Sequence, residues 1–211
     1  MIRVFLDMKP HLSWMASQRG GKRCSLDDVI AFNPKVPLSK ERNKQSVPMS
    51  ALNTHPMILD MAEFGTTNSN SGSKFQNGDT LLARITPCLE NGKTAFVTGI
   101  ESSEGAVEPT EFIVMRSLKL NSYMVYLLAR TDDFRKSAIN SMIDSDSRQR
   151  AQVEKLWTLP YLEPPQKVAN MFDKECRSAF LQIQRKNEMK QLLREARDHL
   201  LPKLMSGELE A

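Results

Sequence analysis

The sequence predicts an α/β chain of the α+β type: a globular head over residues 1–163, then a long helical arm over residues 164–211 that forms a coiled coil with a partner. Three observations carry this. β-prone runs punctuated by Gly-Asp and Asn-Gly turns fill the middle of the chain. From Ser122 the apolar period changes to that of helices. Beyond Pro164-Pro165 a stretch without Gly or Pro, dense in Lys, Glu, Gln, Leu and Ala, runs to about Leu201. With 211 residues, 40% of them hydrophobic, the chain can build one sizeable domain with an extension, or two small domains.

Residues 1–19 are Met-rich and broken by Pro10, and admit a short strand (Ile2 to Leu6) or a helix. Gly20-Gly21-Lys22-Arg23 is a basic turn. Ser25 is placed to cap a short helix with Asp27 and Asp28 in its first turn, ending before Asn33-Pro34. Pro37 and a charged loop from Lys40 to Lys44 follow. Ser46 to Leu52 reads as a strand that Pro48 places near an edge. Phe64 to Phe75 holds two Gly, two Thr, two Asn and three Ser, cannot bury itself, and reads as a surface loop delivering polar side chains.

The centre of the head is Gly78 to Val97, GDTLLARITPCLENGKTAFV. Thr80 to Arg84 is a strand, Ile-Thr-Pro a corner, Asn91-Gly92 a turn, and Thr94 to Val97 the returning strand. The tip is polar (Glu90, Asn91, Lys93), stiffened by Pro87 and flanked by Arg84. Rigid walls of this kind present donors to phosphates or base edges. A Ser- and Glu-rich turn (Glu101 to Glu108) leads to a third strand, Glu111 to Met115. Ser122 to Leu128 and Asp132 to Ile143 are two short helices, the second capped by Asp132 or Asp133. Ser145 to Gln152 is polar and basic, and its Arg148 and Arg150 suit either a solvated face or phosphate contacts.

On the arm, Phe172, Cys176, Ala179 and Ile183 step by four, three and four, as do Met189, Leu193, Ala196 and Leu200. The polar run Gln184 to Glu188 separates these seams, which are one residue out of heptad phase. A helix of about 54 Å outruns what the head needs as a cover, so a partner helix is implied.

A formal charge of +4 leans toward a polyanionic partner without requiring one. Cys24, Cys88 and Cys176 are far apart and odd in number, which fits free thiols in a reducing compartment, not a disulfide framework or a zinc site. No signal peptide and no apolar run of membrane-spanning length reads in the sequence, so the cytoplasm is the expected location. Asn33-Pro34 opens like an amino-methyltransferase motif but continues with Lys35-Val36, and no glycine-rich turn is present to hold a nucleoside cofactor; no cofactor is expected. Glu90 and Lys93 are one residue too far apart for the acid-x-Lys end of a metal-dependent nuclease. His11, His55 and His199 are scattered, without the spacing of ligands or of a nucleophile's partner.

GDTLLARITPCLENGKTAFV followed by EPTEFIVMR resembles the target recognition domain of type I restriction–modification specificity subunits. SDSRQRAQVEKLWTLPYLEPPQKVANMF resembles the passage from that domain into the family's conserved helix, and LREARDHLLPKLMSGELE the end of that helix. The similarity runs from about Ser25 to the C-terminus. Family members usually carry two such domains and two helices, so this chain, with one of each, resembles a half-subunit.

The resemblance implies a protein without chemistry of its own, which selects a sequence in double-stranded DNA while methyltransferase and restriction subunits act. The expected DNA contacts are Lys74, Gln76, Arg84, Asn91 and Lys93, with Arg148 and Arg150 on the backbone. Amides suit adenine edges, and Arg84 suits guanine if it turns toward a groove. An antiparallel homodimer is expected to join through Phe172, Ala179, Ile183, Met189, Leu193, Ala196 and Leu200 and to read an interrupted palindrome. A coiled-coil adaptor that binds only proteins is the alternative, and a stand-alone DNA enzyme a further one.

Overall fold

A computed structural model describes residues 20–36, 44–69, 71–100, 106–108, 111–145 and 148–208. The readings of residues 1–19, of Pro37, of the charged loop before Lys44 and of the turn at 101–105 lie outside the described residues.

The head begins with β1 (Lys22–Ser25) and β2 (Ile30–Phe32), joined by a single 3-10 turn, Leu26–Asp28. The expected short helix does not propagate. Ser25 N–H does donate to the Asp28 carboxylate at 3.0 Å, which lowers the Asp28 pKa. Val29 and Ile30, however, are fully buried, and the chain from Ile30 pairs along a strand. β3 (Lys44–Ser46) ends before Pro48, and Met49–Ala51 is another 3-10 turn, so of the strand expected from Ser46 to Leu52 only Ser46 lies in a strand; β3 is paired on both sides, so Pro48 marks no sheet edge. The stretch from Phe64 to Phe75, expected as loop throughout, contains β4 (Gly65–Thr67) and β5 (Ser73–Phe75). Its polar residues find partners on neighbouring strands, which composition does not reveal.

β6 (Thr80–Ala83) and β7 (Thr94–Phe96) form the expected antiparallel pair, with Thr80 opposite Phe96 and Leu82 opposite Thr94. β8 (Ala106–Glu108) precedes β9 (Phe112–Ser117), which lies against β6 with Leu81 opposite Val114. Two helices follow, α1 (Ser122–Ala129) and α2 (Asp132–Asn140). The cap of α2 is Thr131, not Asp132 or Asp133: its hydroxyl accepts from Phe134 N–H, and the aspartates occupy the first turn. The basic stretch forms a ribbon of β10 (Ile143–Ser145) and β11 (Arg148–Arg150). A short helix, α3 (Val153–Trp157), leads to β12 (Pro160–Glu163), which pairs with β1.

Two four-stranded sheets organise the head, one in the order β2-β9-β6-β7 and the other in the order β4-β3-β8-β5. The first is the middle layer. Its side chains alternate: Leu82, Ile113 and Met115 join the core formed with α1, α2 and α3, while Leu81, Phe112 and Val114 join the core shared with the second sheet. All four residues of β6 are buried, which is why it reads as a continuous apolar run. Because both faces pack, a one-residue slip would exchange the two cores, and the register is tightly specified. Where β6 begins, Asp79 (2% exposed) takes both Nε and Nη2 of Arg116 on β9, each at 2.7 Å. The pairing raises the Arg116 pKa.

The chain divides into two compact units, Met1–Asp173 and Lys174–Ala211. α4 (Gln166–Met205) starts directly after Pro164-Pro165, and its first residues Val168, Ala169 and Phe172 pack against the first core. Forty residues correspond to a helix about 60 Å long. The helix does not stop at Pro202 as expected, because a proline in the final turns forfeits few backbone bonds. It ends in a Schellman closure, with Glu208 N–H on the Lys203 carbonyl, Gly207 N–H on the Leu204 carbonyl, and Gly207 at φ +74°.

Candidate nucleic-acid interface

Residues 84–93 connect β6 to β7. Leu89 is fully buried and Ile85 nearly so, and the turn is closed by Leu89 N–H to Ile85 O, Asn91 N–H to Pro87 O and Lys93 N–H to Cys88 O. Gly92 alone uses the left-handed backbone that the Asn-Gly pair permits. The outward side chains are Pro87, Glu90 and Asn91.

Cations anchor this loop on both flanks. Arg84 Nε donates to the Ala151 carbonyl at 3.0 Å, while its backbone bonds Glu111 O and Ala151 N–H. Lys93 Nζ donates to Met49 O at 3.1 Å. Arg130, at the end of α1, bridges Thr54 O and Gly92 O at 2.9 and 3.0 Å. The β10/β11 ribbon continues the flank beside β9, where Ile85 bridges Arg150 and Thr86 N–H reaches Gln149 O. Arg150 Nη2 stands 3.3 Å from Glu111 Oε1.

The structure thus brings Arg84, Asn91, Lys93 and Arg150 to one end of the middle sheet. Arg148 enters the same ribbon opposite Ser145. Gln76 does not join them. It is exposed in the turn before β6, where its N–H donates to Asp79, and the length of β6 separates it from the loop. Lys74 is half-buried on β5, opposite Val107. Arg84 and Lys93, expected to point at DNA, spend donors on the protein's own carbonyls. Sequence reading passed over Arg116, Arg130 and Arg135. The guanidinium of Arg135 lies over Gly92 and pairs with Asp132 at 2.7 Å. Its only sequence signal is an ordinary i,i+3 pair. Among the described residues no cluster of His, Cys, Asp and Glu is suited to hold a metal ion, and no helix is long and apolar enough to cross a membrane.

No protein-family model matches the chain. Over 138 residues it is 30% identical to the specificity subunit of the type I restriction enzyme EcoAI of Escherichia coli, covering 62% of this chain and 23% of that protein. Over 171 residues it is 26% identical to the EcoEI specificity subunit of the same organism, covering 78% and 28%. The chain is similar to the specificity subunits of type I restriction enzymes. It spans about a quarter of the length of these curated relatives. Its fold agrees with the HsdS subunit from Thermoanaerobacter tengcongensis, at a TM-score of 0.56 and 16% identity over 90% of this chain and 48% of that one. A chain from a structure of type I R-M complex assembly and conformational transition gives 0.57 and 16%, over 90% and 50%. At this identity the likeness speaks for the fold: mixed sheets and a long C-terminal helix.

On α4, Met189 and Leu193 are 63% and 65% exposed, Leu200 is 45% exposed, and Ala196 is also exposed; Ala179 and Ile183 are half-buried. Phe172 is partly buried against the core of the head.

Proposed function

We propose that this chain reads one half of a bipartite sequence in double-stranded DNA and acts with separate methyltransferase and restriction subunits, without a catalytic site of its own. Kinship with specificity subunits is the observation that carries the reading. The geometry supports it: a stiff loop presents Asn91, a side chain able to pair bidentately with adenine, between arginine-bearing elements. On this reading Arg150 and Arg148 touch the sugar–phosphate backbone, while Arg84 and Lys93 position the loop. Gln76 and Lys74, away from the loop, contribute to a second contact surface.

The exposed seam of Met189, Leu193, Ala196 and Leu200 joins two copies in antiparallel fashion, with Ala179 and Ile183 continuing it. Identical heads related by a two-fold axis read identical half-sites, so the target is an interrupted palindrome.

Binding of the purified chain to duplex DNA across a salt series tests the DNA reading. Affinity should fall linearly on a log–log plot as salt rises. A protein-only adaptor would show no such dependence.

A further inference from the structure

Two arginine–carboxylate pairs flank the loop at residues 84–93, one on either side. In the order β2-β9-β6-β7, Glu111 and the β10/β11 ribbon lie along the β9 side of β6, where Arg150 meets Glu111. On the β7 side α2 brings the Arg135 guanidinium over Gly92, where it meets Asp132. Arg84, Lys93 and Arg130 each donate to a backbone carbonyl and thereby build the loop. Arg135 and Arg150 are different, because their partners are anions and their side chains remain 34% and 44% exposed.

The Arg150–Glu111 contact at 3.3 Å is longer than a well-formed charge-assisted bond of about 2.7–2.9 Å. The second carboxylate oxygen, Glu111 Oε2, is buried without a hydrogen-bond partner. The long contact marks a weak pair, and Glu111 keeps a spare acceptor that a rearranged guanidinium can still reach. The two guanidiniums thus stand on opposite flanks of the loop, one beside Glu111 and one over Gly92. The major groove, about 12 Å wide, admits a two-stranded β-ribbon between its phosphate walls.

We infer that Arg135 and Arg150 form a pair of phosphate contacts straddling the groove that the loop enters, with Asp132 and Glu111 holding their places in the free chain. The inference rests on the DNA-reading function proposed above and deepens it. A phosphate offers a guanidinium the same paired oxygens as a carboxylate, so binding exchanges one anion for another. The carboxylates weaken attraction to any duplex and leave discrimination to the loop tip.

The test uses the full chain and a fluorescent duplex of mixed sequence, titrated at several salt concentrations. Arg135→Ala should lower the magnitude of the log–log salt slope by about one unit and weaken binding at low salt, while circular dichroism stays unchanged. Asp132→Asn and Glu111→Gln should each tighten binding to the same duplex. Wild-type slope in Arg135→Ala, or unchanged or weaker binding in both carboxylate variants, would overturn the clamp while leaving the DNA-reading function intact. Absence of salt-dependent binding by the wild-type chain would instead overturn that function.

Discussion

Replacing Asp79 with alanine removes a carboxylate that takes two 2.7 Å bonds from Arg116 and one of 2.9 Å from Gln76 N–H. The carboxylate is 2% exposed, while the stranded guanidinium is 23% exposed. Breaking a buried ion pair from one side costs about 3–5 kcal/mol. Partial access of Arg116 to water lowers that to about 2–4 kcal/mol. In urea the midpoint should drop with the m-value unchanged, and the melting temperature should fall by on the order of 5–15 °C. Adding Arg116→Met should recover part of the loss, since the unpaired charge then disappears as well. A loss under about 1 kcal/mol, the size of a surface pair, would show that the pair does not anchor the start of β6.

Gly92→Ala should cost about 1–2 kcal/mol by thermal melting, because the residue sits at φ +71° and the new methyl group meets Arg135 Nη1 at 2.8 Å. A neutral effect would mean that the turn re-forms without the left-handed residue. Leu193→Asp combined with Leu200→Asp should convert dimers to monomers in sedimentation and abolish specific binding; a wild-type chain that sediments as a monomer at micromolar concentration refutes the dimer itself. Burial raises the Tyr126 pKa to about 12 and that of Tyr161 further still. The folded chain thus keeps protons that the unfolded chain releases near pH 10, so this stabilisation is complete below pH 10 and declines as the pH rises toward 12. Denaturant melts at pH 9 and pH 11 should differ accordingly, and Tyr126→Phe should reduce the difference.

The β6–β7 pair was legible because two local signals agree there, an apolar run wholly buried in the middle layer and an Asn-Gly turn. The Ser25 cap misled because a capping signal is local, whereas pairing between Ile30 and Ser117 is settled by the rest of the fold. β4 and β5 were hidden for the same reason: polar residues at a sheet margin carry no apolar period, and their partners lie on distant strands. At the candidate site, sequence pointed to the loop and the ribbon but did not show what their cations bond within the chain. Arg84 and Lys93 find carbonyls 67 and 44 residues away, and no spacing rule announces such partners. The apolar steps on α4 were readable because helical geometry alone dictates which residues share a face.

The loop at residues 84–93 is fastened through main-chain carbonyls: those of Met49, Thr54, Gly92 and Ala151 receive the anchoring cations. A carbonyl is the same whichever side chain it belongs to. The fastening is therefore indifferent to what stands at Glu90 and Asn91, which face outward and share neither core. Those two positions should tolerate exchange of side chain, proline at 91 excepted, because it would remove the N–H that closes the turn on Pro87 O. Random substitution confined to them should yield variants that fold as the parent does, so a new preference could be selected from them without first restoring stability.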